Sequence, residues 1–148
     1  MQPPKRLNIG AGRDYMEGWI NADISEEVGA DIVCQLGQRL PFKDNEFSEV
    51  KAYNVLCQIQ MTNDFIYAMN ELHRVTNGYI YVRVPNAADI CAFQDPMDSR
   101  RFTTESFTYM EHNHKRYIQY GKHYGFLPFK VDLLENKQQM IFRLQPVK

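Results

Sequence analysis

Short apolar runs, each closed by Gly, Pro, Asn or Asp, punctuate this chain, and one longer stretch repeats its apolar positions at helical spacing. Lys5 to Ile9 predicts a strand running into Gly10-Ala11-Gly12. Trp19 to Asp23 and Asp31 to Cys34 predict two more, brief and apolar enough for buried parallel strands. Leu40-Pro41-Phe42-Lys43-Asp44-Asn45 predicts a turn, and Phe47 to Tyr53 a fourth strand. From Asn63 to Val75, the residues Phe65, Ile66, Met69, Leu72 and Val75 share one helical face, with Thr62 or Asn63 placed to cap its start. Asn77-Gly78 predicts the helix end, because Gly takes the left-handed cap conformation at little cost. Gly78 to Val84 follows as a run of strand-forming residues.

The last third is less regular. Thr103 to Tyr124 predicts a mostly helical segment, capped by Thr103 or Thr104 with Glu105 in the first turn. Phe126 to Leu134 and Gln139 to Leu144, separated by Glu135-Asn136-Lys137, predict an antiparallel hairpin. Strands alternating with helices and closing on a hairpin give an α/β class with a mostly parallel sheet. A length of 148 residues suits one domain over 1–148.

A formal net charge of -1 argues against a general electrostatic grip on nucleic acid or acidic membranes. Cys34, Cys57 and Cys91 are odd in number and lack zinc-ligand spacing, so free thiols, no metal and a reducing, cytoplasmic setting are expected. Met-Gln-Pro-Pro-Lys-Arg lacks a signal-peptide core and no run reaches membrane-spanning length, so no membrane partner is expected.

Candidate chemistry begins at Gly10-Ala11-Gly12. A strand running into Gly-x-Gly turns sharply and lets a ligand approach without Cβ atoms in the way. Asp23 ends the next predicted strand, where an acid accepts both hydroxyl protons of a ribose, so the pair reads as a nucleoside site. Elsewhere ordinary structural roles are favoured. His112 and His114 stand two apart among Tyr109, Tyr117, Tyr120 and Tyr124, poor spacing for shared ligation. His73 lies inside the amphipathic helix, Cys57 reads as a packed thiol, and Arg100-Arg101 suits a surface salt bridge at least as well as an anion. The aromatic density near the carboxyl terminus is also what a homo-oligomer interface would carry.

The run Leu7 to Gly12, then Gly18-Trp19-Ile20-Asn21-Ala22-Asp23, resembles the opening of small class I S-adenosylmethionine-dependent methyltransferases of the type 11-like group. The resemblance continues through Ala30 to Val33, Leu40 to Phe47, Glu71-Leu72-His73-Arg74-Val75 and Val84-Pro85-Asn86. It extends more weakly to Asp95-Pro96 and Arg101-Phe102-Thr103. It implies a Rossmann-like domain and a transferase using S-adenosylmethionine on a small-molecule or sugar-like acceptor, by direct displacement at the sulfonium methyl. By the same resemblance Gly10, Ala11 and Gly12 line the amino-acid moiety of the cofactor, Asp23 holds the ribose and Ile24 packs near the adenine. Gln35 and Leu36 follow the third strand at the adenine, and Tyr53 and Asn54 border the methionine end.

Departures from the pattern imply an alternative, a catalytically inactive cofactor-binding or assembly subunit. Asn8, still one of the cofactor-binding residues that the resemblance implies, stands where an acid often precedes the glycine loop, Gln35 where an Asp is expected, Ser48 where an acid is usual, and Thr76-Asn77-Gly78 in place of Lys-Pro-Gly-Gly. Leu56-Cys57-Gln58 stands where the family shows Leu-Glu-His. Residues 13–18 are too few for the helix that normally follows the glycine loop, so that helix is expected to be shortened or absent. A dinucleotide-dependent oxidoreductase is disfavoured, since Tyr15 occupies the place of a third glycine.

Overall fold

The computed structural model describes residues 2–148. Its strands are β1 (Arg6–Ile9), β2 (Ile20–Asp23), β3 (Ile32–Val33), β4 (Phe47–Tyr53), β5 (Thr76–Pro85), β6 (Phe129–Asn136) and β7 (Gln139–Pro146), with one long helix, α1 (Thr62–Val75), between β4 and β5. They form one sheet in the order β3-β2-β1-β4-β5-β7-β6. The first five strands are parallel, and β7 returns antiparallel between β5 and β6. This is the expected α/β, Rossmann-like sheet with an antiparallel carboxyl-terminal hairpin.

Strand register sorts the side chains into two faces, because residues paired across strands point the same way. Leu7 and Ile9 share a face with Val50 and Ala52, then Ile80, Val82 and Val84, then Met140, Phe142 and Leu144. All of these are buried. Phe65, Met69, Leu72 and Val75 of α1 pack into the same core, joined by Phe102, Phe107, Met110 and Phe126 from the segment after β5.

The opposite face carries Glu49, Lys51, Tyr53, Tyr79, Tyr81, Arg83 and Arg143, and no helix covers it. Its polar side chains stack on one another instead. Lys51 and Arg83 each sit 4.5 Å from the Tyr53 ring, and Arg143 sits 4.9 Å from that of Tyr79. Such exposed cation–π contacts contribute about 0.5–1 kcal/mol each. At the β1–β2 end a loop takes the place of the missing helix. Asn8 Nδ2 donates to Asn21 Oδ1 and to the Asp14 carbonyl, while Asn21 exchanges hydrogen bonds with the Met16 backbone and binds Asp31. The expected loss of a helix after β1 is therefore met by a loop pinned on two buried asparagines.

Three local expectations are corrected. Met61, with no capping side chain, precedes α1 in place of Thr62 or Asn63. Gly78 does not end the helix: Val75 leads straight into β5 at Thr76. Gly78 lies inside that strand because a Cβ there would sit 2.0 Å from the Ser48 carbonyl oxygen, beside the register shift between Phe47 and Glu49. The segment 103–124 is mostly helical as expected, but it is interrupted, and neither Thr103 nor Thr104 caps it. It holds a 3-10 turn at Ser106–Met110, then a break where Glu111 bridges to Phe129, then a helical stretch over 115–124 that is wound as a π-helix at Tyr117–Gly121 and ends at Lys122–Tyr124. The aromatic residues there dock separately into the sheet core, which a straight helix could not do.

Glu71 and Arg74 tie α1 to the turn before β4. The Glu71 carboxylate, 5% exposed, accepts from the Leu40 N–H at 2.7 Å and from both Arg74 Nε and Nη2. Arg74 also donates to the Leu40 and Phe42 carbonyls and pairs with Asp44. Burial alone would raise the Glu71 pKa, but the Arg74 hydrogen bonds and the Leu40 N–H outweigh it and hold the carboxyl below its usual value. A depressed folded-state pKa contributes stability that is complete above the unfolded value, about 4.3, and is lost as pH falls through the folded value. Denaturant midpoints should therefore fall below about pH 5, and Glu71→Gln should be less stable at neutral pH with a shallower acid slope. An unchanged slope would place the acid sensitivity elsewhere.

Candidate functional site

The carboxyl ends of β1, β2, β4 and β5 lie side by side, and the backbone changes direction abruptly at each. After Ile9 the chain enters positive φ at Gly10 (68°) and Gly12 (54°). Ala11 N–H bonds to the Ala22 carbonyl at 3.0 Å, hooking the loop onto β2. The two glycines are required for different reasons. A Cβ on Gly10 would lie 2.6 Å from Val55 Cβ, so the loop can pass the end of β4 only without a side chain. Around Gly12 nothing lies within 4 Å of that position, and its surface is open.

Asp23 closes the loop from the next strand. Its Oδ2 accepts the Gly12 N–H at 2.8 Å and its Oδ1 accepts the Ser25 N–H at 3.0 Å. An ionised carboxylate offers about four lone-pair sites, so each oxygen keeps capacity for a further donor. Gly12, Asp23 and Ser25 thus form one bonded unit at the ends of β1 and β2.

The other residues expected here take varied positions. Ala11 is buried beneath the loop, and Ile24, 62% exposed, projects beside Asp23. Gln35 is exposed just past β3, while the Leu36 side chain is turned into the core. Asn8 is buried and spends its amide on Asp14 and Asn21, a structural duty. Tyr53 lies on the uncovered face between Lys51 and Arg83. Asn54 ends β4 at φ 55°, a conformation Asn tolerates better than most residues, with its N–H on the Arg83 carbonyl. Its Oδ1 is buried without a hydrogen-bond partner.

Asn54 opens onto a cavity of about 360 Å³ at the ends of β4 and β5, shared with Gln58, Gln94, Asp95, Asp98 and Gln139. A larger, shallow depression of about 630 Å³ lies on the uncovered face around Tyr53, Tyr81 and Ile141, away from the glycine loop. Gln139 reaches the smaller cavity because β7 inserts beside β5, pairing Gln139 with Pro85. No local motif signals that placement.

Cys57 is 1% exposed, and its thiol is pushed up to about 12, first by burial and then by Asp98, which suits packing and not nucleophilic attack. Burial lowers the pKa of His73, whose Nε2 lies 3.0 Å from the Val147 carbonyl. Arg100 donates to the Ile59 carbonyl and stacks on Phe65. Among the described residues no group of three or more His, Cys, Asp or Glu gathers within metal-binding reach, and no helix is long and apolar enough to cross a membrane.

No protein-family model and no curated protein matches the chain in sequence. Its fold does match solved structures. An S-adenosylmethionine-dependent methyltransferase from Archaeoglobus fulgidus aligns with a TM-score of 0.67 at 12% identity, over 95% of this chain and 85% of that one. One from Thermotoga maritima aligns at 0.63 and 15% identity, over 99% and 84%. The complex of the Haloferax volcanii Trm112 methyltransferase activator with a methyltransferase aligns at 0.62 and 12% identity, over 98% and 83%. The chain thus has a class I methyltransferase-like fold.

The two glycines make separable predictions. Gly12→Ala meets no atom and should cost about 1–2 kcal/mol of left-handed backbone strain. Gly10→Ala adds the clash with Val55 and should lower the denaturation midpoint further. Equal losses would mean that Val55 yields freely and the loop is not held against β4.

Proposed function

We propose that this chain binds S-adenosylmethionine across the ends of β1 and β2 and transfers its methyl group to a small-molecule acceptor at the ends of β4 and β5. The observation that carries the reading is the bonded unit of Gly12 and Asp23, which joins a Cβ-free loop to a carboxylate with unused acceptor capacity. The residues present fit the cofactor. Open space over Gly12 admits its amino-acid portion, and the Asp23 oxygens can each take a ribose hydroxyl in addition to the N–H already bound. When bound, S-adenosylmethionine supplies an electrophilic methyl group on a sulfonium.

The chain's own contribution is orientation. Asp23 fixes the loop before any ligand arrives, so fewer soft torsions must be ordered on binding. Val55 and Asn54 form the wall between the two ends of the site, and proximity of donor and acceptor is the main catalytic resource of such a displacement. Because a loop and not a helix follows Gly12, little helix dipole acts on the ligand, and the Asp23 anchor carries correspondingly more.

A second reading is favoured by the uncovered sheet face, where Tyr79 and Leu134 are exposed. It makes the chain a cofactor-binding or assembly subunit, alone or as a homo-oligomer, without turnover. Transfer of a labelled methyl group to any acceptor removes this reading.

Calorimetric titration with S-adenosylmethionine and S-adenosylhomocysteine should give saturable binding. Asp23→Ala should weaken it by roughly 1.5–3 kcal/mol, the scale of a hydrogen bond to a charged group. Asp23→Asn, which keeps one acceptor oxygen, should fall between. Absence of binding at millimolar ligand would sink the cofactor reading for the isolated chain.

A further inference from the structure

The smaller cavity, at the ends of β4 and β5, is rich in unused acceptors. Asn54 Oδ1 and Gln139 Oε1 are both buried with no hydrogen-bond partner. Asp98, only 9% exposed, has no ion pair and no N–H or O–H donor on its carboxylate among the described residues. Its one weak neighbouring donor is the buried Cys57 thiol. Arg101 is close by but donates to the Asp98 backbone carbonyl and stacks on Phe93. Asp95 at the rim accepts the Met97 N–H, and no Lys, Arg or His lines the cavity.

Acceptors that no protein donor occupies leave places for a ligand that brings donors or positive charge. An alcohol offers one donor, a carboxylate none, and a primary amine two N–H groups with the nitrogen lone pair left over. A volume of about 360 Å³ admits a small molecule or one end of a larger one. Resting on the methyltransferase reading, we propose that this cavity binds the methyl acceptor and that the acceptor is a small primary amine.

Asn54 and Gln139 accept its N–H groups, and Asp98 supplies the negative field that draws it in. The amine arrives as its ammonium ion, gives up one proton to water, and reacts in its neutral form. Its lone pair forms the new N–C bond to the methyl carbon, and the C–S bond breaks with its electron pair passing to sulfur. The positive charge moves from sulfur to nitrogen, and the product leaves as its methylated ammonium ion. Carbon nucleophiles and phosphorylated acceptors are disfavoured, the latter by repulsion from Asp95 and Asp98.

The test is binding, independent of turnover. Nitrogen–proton correlation spectra of the full chain are followed during titration with n-butylamine, n-butanol or butyrate, and the same samples are titrated calorimetrically with S-adenosylmethionine. The expected result is a saturable response to butylamine alone, shifting the Asn54 and Gln139 side-chain amides. Asp98→Asn should weaken it about tenfold, the lower end for a charged hydrogen bond. Asn54→Asp, which keeps the backbone conformation and adds charge, should tighten it, so the proposal does not depend on one variant folding. An equal response to butanol or butyrate, or an unchanged affinity in Asp98→Asn, overturns it. Loss of butylamine binding under saturating S-adenosylhomocysteine would assign these acceptors to the cofactor's own amino group and also overturn it. Cofactor binding without amine binding overturns the acceptor alone. Amine binding without cofactor binding overturns the acceptor role through failure of the methyltransferase reading.

Discussion

Parallel strands cannot form a stable sheet unless their apolar side chains leave water, and most parallel sheets meet this by burying both faces under helices. Here one face carries the whole burden. Val50, Ile80, Val82, Val84 and Leu144 are fully buried on it, and α1 with the aromatic segment after β5 supplies the cover. At roughly 1.5–3 kcal/mol for each large buried side chain, this layer is the dominant favourable contribution to the fold. The face turned away is held by Arg83 on Tyr53 and Arg143 on Tyr79 across strands, and by Lys51 on Tyr53 within β4, pairs that tolerate solvent and need no second layer.

That one-sided packing shapes the site. A helix after β1 would cover the outer face and aim its amino terminus at the glycine loop. The loop that replaces it is held by side chains, with Asn8, Asn21 and Asp31 on the structural side and Asp23 on the ligand side. Asn8 and Asp23 are therefore partners in one construction, although only Asp23 keeps spare acceptors toward the ligand. At the other end of the cleft, Asn54 adopts a left-handed conformation where β4 stops, and its amide oxygen is left without a donor.

The Glu71–Arg74 pair acts at the other end of the sheet, where β4 and β5 start. Arg74 holds the carbonyls of Leu40 and Phe42, and Phe42 meets Phe47 edge-on at 4.9 Å at the start of β4. Breaking the pair would strand a buried carboxylate, which costs more than the net value of the intact pair. The stretch Glu71-Leu72-His73-Arg74 that carries part of the family resemblance thus has a mechanical explanation in the placement of the turn before β4.

Sequence alone determined the sheet's composition and the start of the site. The strand ends at Ile9, Asp23 and Tyr53, the helix through Val75, the closing hairpin and the missing helix after Gly12 all follow from local periodicity and short spacing, which neighbours in sequence enforce. The uncovered face is not among the expectations from sequence, which predict buried parallel strands; the alternation of Glu49-Val50-Lys51-Ala52 and Tyr81-Val82-Arg83-Val84 is the signal that marks half-buried strands. Tertiary structure decided what depends on distant approach. Gly78 looked like a helix stop, but the Ser48 carbonyl, thirty positions earlier in the chain, is what forbids a side chain there. Residues 103–124 have helical character, yet docking Phe107 and Met110 into the sheet splits them into a 3-10 turn and a separate helical stretch over 115–124. Gln139 and Asp98 meet Asn54 only because β7 inserts beside β5 and the segment after β5 folds back over Cys57, contacts that no local pattern encodes.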